Sequence, residues 1–352
     1  MHTHRSHLCR KSQLLVAASV IGLLACVALP VIACQVPVFR YALERWQADR
    51  YQVVVLHDGA LNEDQKNGMK KLQLASKLVG QAESAAHASI NVRSIDVSDP
   101  SEDVDPRLLN WWKTNTPSTP QILAFYPAAN AVAHQGPAYV GDLSQENASR
   151  LLDSPVRREV FRRLEKGDSA VWVFVPCGRE QADAEAKKVL ETQLAEDAKW
   201  LDLPSAAELE VKPEILTQCK IPLQISFSIV ELNRSSEEEA FLLHTLLNSE
   251  EDLVSFDQPL AFPVFGQGRV LYCLVGKGIA PDTIRTASSF MAGPCSCQVK
   301  NQNPGFDLLL AGDWKSALGD VLISEPIETP GGEALEPKLL TIPPGRKSRS
   351  KP

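Results

Sequence analysis

Hydrophobic positions along this chain fall into short blocks whose spacing switches between two and about 3.6 residues, which predicts strands alternating with helices. Tyr51 to Leu56 (YQVVVL) is β-branched and bounded by His57-Asp58-Gly59, as expected of a buried strand. Asn62 to Gly80 reads as a helix with Met69, Leu72, Leu78 and Val79 on one face and Gly80 as its stop. Ser89 to Val97 alternates like a strand, and Asp105 to Lys113 is a short helix carrying Trp111 and Trp112. Pro120 then opens a strand, QILAFYP, with Ala138 to Gly141 as its pairing partner, and Ser144 to Lys166 closes the unit as one helix.

The pattern begins again at Ala170 to Val175 (AVWVFV), a strand, and Arg179 to Trp200, a helix with Ala182, Ala186, Val189, Leu190 and Leu194 on one face. Leu223 to Leu232 is the next strand, and Ser235 to Glu239 has the composition of a capping box for the helix containing FLLHTLL. Pro259 to Phe265 and Arg269 to Val275 read as two strands joined across Gly266-Gln267-Gly268, and Pro281 to Met291 as the last helix. Pro263 inside a strand argues for an edge or a bend, because proline cannot donate to a ladder.

Both halves therefore run strand, helix, strand, helix, proline-led strand, strand, helix. That order resembles the thioredoxin-like fold, with Thr119-Pro120-Gln121-Ile122-Leu123-Ala124-Phe125 as the proline-led stretch and Pro120 as the family's cis-proline. The resemblance implies an α/β chain of two tandem three-layer α/β/α domains, residues 51–168 and 169–324. It covers the order of elements; the family's cysteine motif is missing. The second half also carries an extra stretch, Leu201 to Pro222.

The start of the chain changes the picture. Met1 to Gln13 holds Arg5, Arg10 and Lys11 and no acid, and Leu14 to Ala33 (LLVAASVIGLLACVALPVIA) holds no charge. A basic flank is retained on the cytoplasmic side, so the remainder is expected outside. Twenty residues span about 30 Å as a helix, enough for a hydrocarbon core. Val31-Ile32-Ala33-Cys34 resembles the lipobox of bacterial lipoproteins, which implies a lipid on Cys34 at the mature N-terminus. An uncleaved single-pass anchor and an ordinary secretory signal remain open for residues 1–34. His2, His4 and His7 form a metal-like cluster on the side that is cut off or cytoplasmic. Residues 35–50 follow as a juxtamembrane helix with Phe39, Leu43 and Trp46 at helical spacing, suited to core packing or to lipid headgroups. The Pro- and Gly-rich stretch 325–352 reads as a disordered tail with a basic tip.

A thioredoxin-like enzyme keeps Cys-x-x-Cys where the first strand meets the first helix, because the helix N-terminus stabilises a thiolate. The first half has His57-Asp58-Gly59-Ala60-Leu61 there and no cysteine, so it is read as redox-inactive. The second half has Val175-Pro176-Cys177-Gly178-Arg179-Glu180: Cys177 is present, and Glu180 stands at the partner position. Cys177 is either a single reactive thiol beside Arg179 or a buried or bridged cysteine. Cys295-Ser296-Cys297 is the other constellation, open to metal ligation (with Cys219, Cys273 and His244 as further ligands), to redox work or to structural disulfides. With Cys34 lipidated, five cysteines remain in the second half, and an oxidising compartment leaves one thiol unpaired. Asn147-Ala148-Ser149 fits a glycosylation sequon.

Composition narrows the class. A 44% hydrophobic and 22% charged chain is globular, and a net charge of −7 argues against a nucleic-acid partner. There is no P-loop, Gly-x-Ser-x-Gly, His-Glu-x-x-His or glycine-rich dinucleotide turn, and no cofactor is implied. The expectation is a protein of the bacterial cell envelope, held at a membrane by its N-terminus with its body extracytoplasmic. Its work would be non-catalytic binding or accessory service to other envelope proteins. Thiol-disulfide chemistry through Cys177 or Cys295/Cys297, and metal binding through Cys295 and Cys297, are the alternatives.

Overall fold

The computed structural model describes residues 35–76, 88–99, 104–127, 136–295 and 299–324. The apolar run 14–33, Cys34, Leu78, Val79, Cys297 and the stretch from residue 325 lie outside the described residues. Among the described residues no helix is long and apolar enough to cross a membrane.

The chain is a mixed α/β protein built on two sheets. The first contains β1 (Tyr51–His57), β2 (Ile90–Asp96), β3 (Gln121–Phe125) and β4 (Tyr139–Asp142) in the order β2-β1-β3-β4. β1 runs parallel to β2 and antiparallel to β3, which pairs antiparallel with β4. The second contains β5 (Ala170–Val175), β6 (Phe227–Glu231), β7 (Leu260–Phe265), β8 (Arg269–Val270), β9 (Leu274–Val275) and β10 (Phe306–Asp307). Its order is β10-β8-β7-β5-β6, with β9 also on β7. Again the first strand has a parallel neighbour, β6, on one side and an antiparallel one, β7, on the other.

Helices cover both faces of each sheet. Over the first lie α2 (Glu63–Ala75) and α4 (Gln145–Leu152), which bury Met69, Leu72, Ala148 and Leu151 with Val53 and Val55. On the opposite face α3 (Pro106–Asn115) covers a small cluster of Leu56, Ile95 and Leu123, and no residue of this helix is itself buried. The second sheet is enclosed more deeply. Trp172 and Phe174 of β5 face α1 (Val38–Arg45), α6 (Glu180–Trp200) and α9 (Pro281–Ala292). Val171, Val173 and Val175 face α5 (Pro155–Glu165) and α8 (Ala240–Leu247), as strand alternation requires.

Local chemistry fixes the starts of several helices. Asn62 and Gln65 form a reciprocal capping box at α2, and Asp105 and Ser144 cap α3 and α4. Four expectations are corrected. The helix expected over Ser144 to Lys166 is two helices, because Pro155 cannot continue α4 and holds Ser154 extended. Its halves serve different sheets: α4 packs on the first, while Val160 and Leu164 of α5 pack on the second. The capping box expected at Ser235 to Glu239 does not form; Glu238 and its neighbours make a single 3-10 turn before α8. Pro263 sits in β7, an interior strand, and the cost is met next door. Phe262 and Pro263 face three residues, Leu271 to Cys273, in a one-residue bulge that separates β8 from β9. Lastly, no described peptide bond is cis, so Pro120 leads β3 in the trans form.

Helix α1 packs into the protein body. Phe39, Ala42 and Trp46 join the second sheet's core, and Val38 N–H donates to the Gly293 carbonyl at 2.9 Å. Between α1 and α9, Pro37 and Pro294 form an isolated antiparallel bridge. Of the remaining described α-helices, α7 (Pro213–Gln218) in the extra stretch packs with Val36 and Ile323, and α10 (Trp314–Leu318) packs with Leu43 and Ile221 and sets Trp314 on Phe161 of α5.

A buried charged latch joins the two sheets. Arg157 at the start of α5 donates to the carbonyls of Arg150, Leu151 and Leu309 at 2.6, 2.8 and 3.3 Å, and to Ser154 Oγ at 2.9 Å. Its guanidinium lies 5.0 Å from the Phe241 ring centroid. Burial pulls Arg157 down to about 10, so it remains cationic at neutral pH, held up by the nearby Asp153 and Glu239 carboxylates. Glu239 caps α5 from outside it, accepting Ser154 Oγ–H at 2.6 Å and Val156 N–H at 2.7 Å. Phe241 and Leu309, from the second half of the chain, complete the first sheet's core.

Candidate functional site

The two loops that follow β1 and β5 occupy equivalent places in their sheets, and their chemistry differs. After β1, the His57 ring bonds the Gly59 carbonyl through Nδ1 at 2.9 Å and Ser94 Oγ through Nε2 at 3.0 Å. A carbonyl only accepts, so Nδ1 carries the proton of that bond. Asp96 accepts Ser98 Oγ–H at 2.6 Å, Ser98 N–H at 3.0 Å and Gly59 N–H at 3.3 Å. The Ser98 bonds hold its carboxyl below the usual carboxylate range. His57, Gly59, Asp96 and Ser98 are thus bonded within the turn and to Ser94 beside it, and α2 begins behind its own capping box.

Beside that turn is a pocket of about 530 Å³ lined by Asp58, Trp112, Lys113, Thr116 and the Pro117–Pro120 segment. Thr116 ends α3 in the left-handed region, φ 41°, which a β-branched residue adopts only under restraint. Thr119 Oγ1 and Gln121 Nε2 both donate to Asp142 Oδ1, at 2.7 and 2.6 Å, and hold that carboxyl low.

After β5 the loop carries the one half-exposed thiol of the pair of loops, Cys177, a free cysteine. Its backbone N–H donates to Asp183 Oδ1 at 2.8 Å, and Gly178 N–H donates to Asp183 Oδ2 at 2.9 Å. Gly178 turns the chain at φ 88° to allow this. The backbone donors that a thiolate site would leave open are thus taken by a carboxylate. Arg179 lies beside the same loop, and the neighbouring Cys177 and Asp257 raise the arginine. Arg179 Nη2 also donates to the Asp257 carbonyl. Arg234 ties the loop down from beneath, donating to the carbonyls of Pro176, Phe256 and Gln258 at 3.1, 3.3 and 2.9 Å.

The structure keeps the other candidate cysteines apart. Cys219 is buried in a cluster with Val36 and Ile323, its thiol directed at the Val321 carbonyl at 3.5 Å; burial pushes it up. Cys273 sits in the bulge opposite Pro263; burial, then the Glu250 carboxylate, push its thiol far above the ordinary value. Cys177, Cys219 and Cys273 carry free thiols, so the expected bridges do not join these three. Cys295 lies buried in the second core, its N–H on the Val36 carbonyl at 2.9 Å, while its neighbour Cys297 lies outside the described residues. His244 bonds Tyr126 Oη at 3.3 Å across the junction of the two sheets. Among the described residues no group of three or more His, Cys, Asp or Glu side chains is arranged to hold a metal.

A groove of about 950 Å³ runs between α2, α4 and α5. Its cations are engaged locally: Lys71 donates to Ser149 Oγ at 2.5 Å, and Arg150 and Arg158 pair with Glu146 and Asp153, each at 2.6 Å. Sequence reasoning missed Asp183 and Arg234, the residues that set the Cys177 loop. An aspartate in the first turn of a helix reads as an ordinary dipole partner, and only the fold reveals that it reaches back to Cys177.

Compared with known proteins, the chain matches no family model, no curated protein and no solved structure.

Proposed function

We propose that this chain is a membrane-tethered, extracytoplasmic protein made of two degenerate thioredoxin-like units and used for non-catalytic binding or as an accessory to a cell-envelope complex. The strand order supports the thioredoxin-like reading: in each sheet the third strand runs antiparallel to the first, which also has a parallel second strand beside it. The observation that carries the non-catalytic reading is the capture of the Cys177 and Gly178 N–H groups by the Asp183 carboxylate. The first unit has no cysteine at the equivalent turn, and Glu180 stands where the second unit would need a resolving thiol.

The test is insulin reduction and mixed-disulfide trapping by the full chain. No turnover and no trapped partner are expected; activity abolished by Cys177→Ser would overturn the reading. The rival, single-thiol chemistry at Cys177, draws its support from the Arg179 guanidinium, which the neighbouring Cys177 raises. The tether itself, a lipid on Cys34 or an uncleaved apolar span, is tested by intact mass and thiol counting on protein taken from the membrane fraction. A mature chain beginning at Gln35 or later, without lipid and outside that fraction, would exclude both forms.

A further inference from the structure

The groove between α2, α4 and α5 and the smaller pocket beside the β1 turn treat charge in opposite ways. In the groove, Lys71, Arg150 and Arg158 are each bonded to another group of the same wall, which leaves little for a charged ligand. The pocket of about 530 Å³ is lined by one side chain of each sign, Asp58 and Lys113. Both are exposed, and among the described residues neither makes a hydrogen bond or an ion pair, with the other or with anything else.

The walls are fastened by bonds that leave these two groups out. Asp58 stands between two held neighbours: the His57 ring bonds the Gly59 carbonyl at 2.9 Å, and Gly59 N–H donates to Asp96 at 3.3 Å. Lys113 lies in the last turn of α3, whose end is closed by Thr116 N–H on the Trp112 carbonyl at 2.9 Å. The segment from Pro117 to Pro120 is stiffened by its two proline rings and pinned where Thr119 Oγ1 donates to Asp142 at 2.7 Å. Beside the two charges, the lining includes the half-buried indole of Trp112 and those proline rings.

A preformed pocket of this size, with a few polar groups set among apolar walls, has the form of a small-molecule site. Its charges are selective. A plain anion would meet Asp58 and a plain cation would meet Lys113, so each loses to one wall what it gains from the other. A neutral apolar molecule would strip water from both charged groups and give them no partner. A molecule with both charges and an apolar body satisfies the whole lining. We infer that this pocket binds a small zwitterion with an apolar body, the chemistry of a free α-amino acid with a large apolar side chain or of a short unblocked peptide. The ammonium sits on Asp58, the carboxylate on Lys113 and the apolar side chain against Trp112. The inference gives the non-catalytic binding reading a site and rests on that reading; it does not depend on the tether.

The experiment is calorimetric titration of the full chain with L-phenylalanine and, separately, with the dipeptide leucyl-leucine, which tells the two sources apart. At least one is expected to saturate with a Kd below about 1 mM. Asp58→Asn and Lys113→Gln, both at exposed positions, should each weaken that binding about ten-fold or more, as the loss of a hydrogen bond between charged groups requires. Capping the probe shows which end sits where. The N-acetyl probe has no cation and should bind Asp58→Asn no worse than the parent; the methyl ester has no anion and should be equally indifferent to Lys113→Gln. Saturation by neither probe below about 1 mM overturns the inference alone. So does binding that both variants keep in full, or a capped probe still weakened by the matching substitution. Mass spectrometry should recover the probe unchanged; a converted probe would overturn the non-catalytic reading and leave the ligand class of the pocket standing.

Discussion

β5 is buried along its whole length, whereas β1 leaves Gln52 exposed and Val54 and His57 half-buried. The two strands hold the same position in sheets that share the order of four strands, and they differ in what covers them. The second sheet receives α1 from before the first half and α5 from what the sequence assigns to the first half's closing helix. The first sheet has only α3 on one face and borrows Phe241 and Leu309 to finish the other core. The shared order of elements therefore makes an unequal pair, in which the second sheet is the more deeply covered and the first takes part of its core from the second half of the chain.

The sharpest way to break that comparison is to hollow out each sheet. Trp172→Ala removes a fully buried indole between three helices that cannot all close on the gap, and is expected to cost about 3–5 kcal/mol. Leu123→Ala lies under the thinly packed α3, which can settle, and should fall near 2 kcal/mol, the low end for such truncations. Urea midpoints at constant m-value measure both. A larger loss for Leu123→Ala than for Trp172→Ala would reverse the ranking of the two sheets.

Next in size is the latch. Arg157→Ala strips the bonds from three carbonyls and Ser154 and leaves Glu239 without its buried counter-charge, an effect of about 3 kcal/mol. Hydrogen exchange is the informative readout, because the first sheet depends on this junction. Amides of β1 and β3 should lose protection while those of β5 and β7 keep theirs. Uniform loss across both sheets would mean that the two unfold as one cooperative block.

A smaller effect separates the thiols. Burial raises Cys273 in the folded protein, so the folded state keeps its proton to higher pH than the unfolded chain does. Stability from this group is complete below the unfolded value, near 8.5, and declines as pH rises above it by up to about 1.4 kcal/mol per pH unit. The slope above pH 8.5 should be shallower in Cys273→Ala than in the parent. An unchanged slope would assign the alkaline loss to other groups.

Much of the unequal pair is legible in the sequence: the order of elements in both halves, the missing cysteine after β1 and the lone cysteine after β5. What stays hidden is tertiary in origin. Pro155 marks a helix break, but nothing local says that α5 crosses to the second sheet. The apolar face of α1 fits a bilayer as well as a core, and the burial of Phe39, Ala42 and Trp46 against the second sheet decides which it joins. Arg157 and Glu239 read as solvated helix charges, because their partners are up to 152 residues away. Pro263 argues for an edge or a bend, whereas β7 stays interior and the bulge falls in the partner strand.

The loops after β1 and β5 hold equivalent places in their sheets and differ in chemistry, and the smallest predicted effect tests that difference. In the first, the serines, the histidine and Asp96 consume one another, so Asp96→Asn should leave the turn without any new reactivity. In the second, Asp183→Ala returns two N–H groups and a helix N-terminus to the neighbourhood of Cys177 while Arg179 stays in place. Such terminal interactions are worth about 0.3–1 kcal/mol, so alkylation of Cys177 by iodoacetamide at neutral pH should quicken about two- to five-fold. Cys219, buried, and Cys273, half-buried, are both raised and should not respond. If Cys177 in Asp183→Ala reacts no faster than in the parent, the carboxylate is only a loop brace. The non-catalytic reading would then stand on the absent second cysteine alone, because a single thiol without a resolving partner stops at the mixed disulfide.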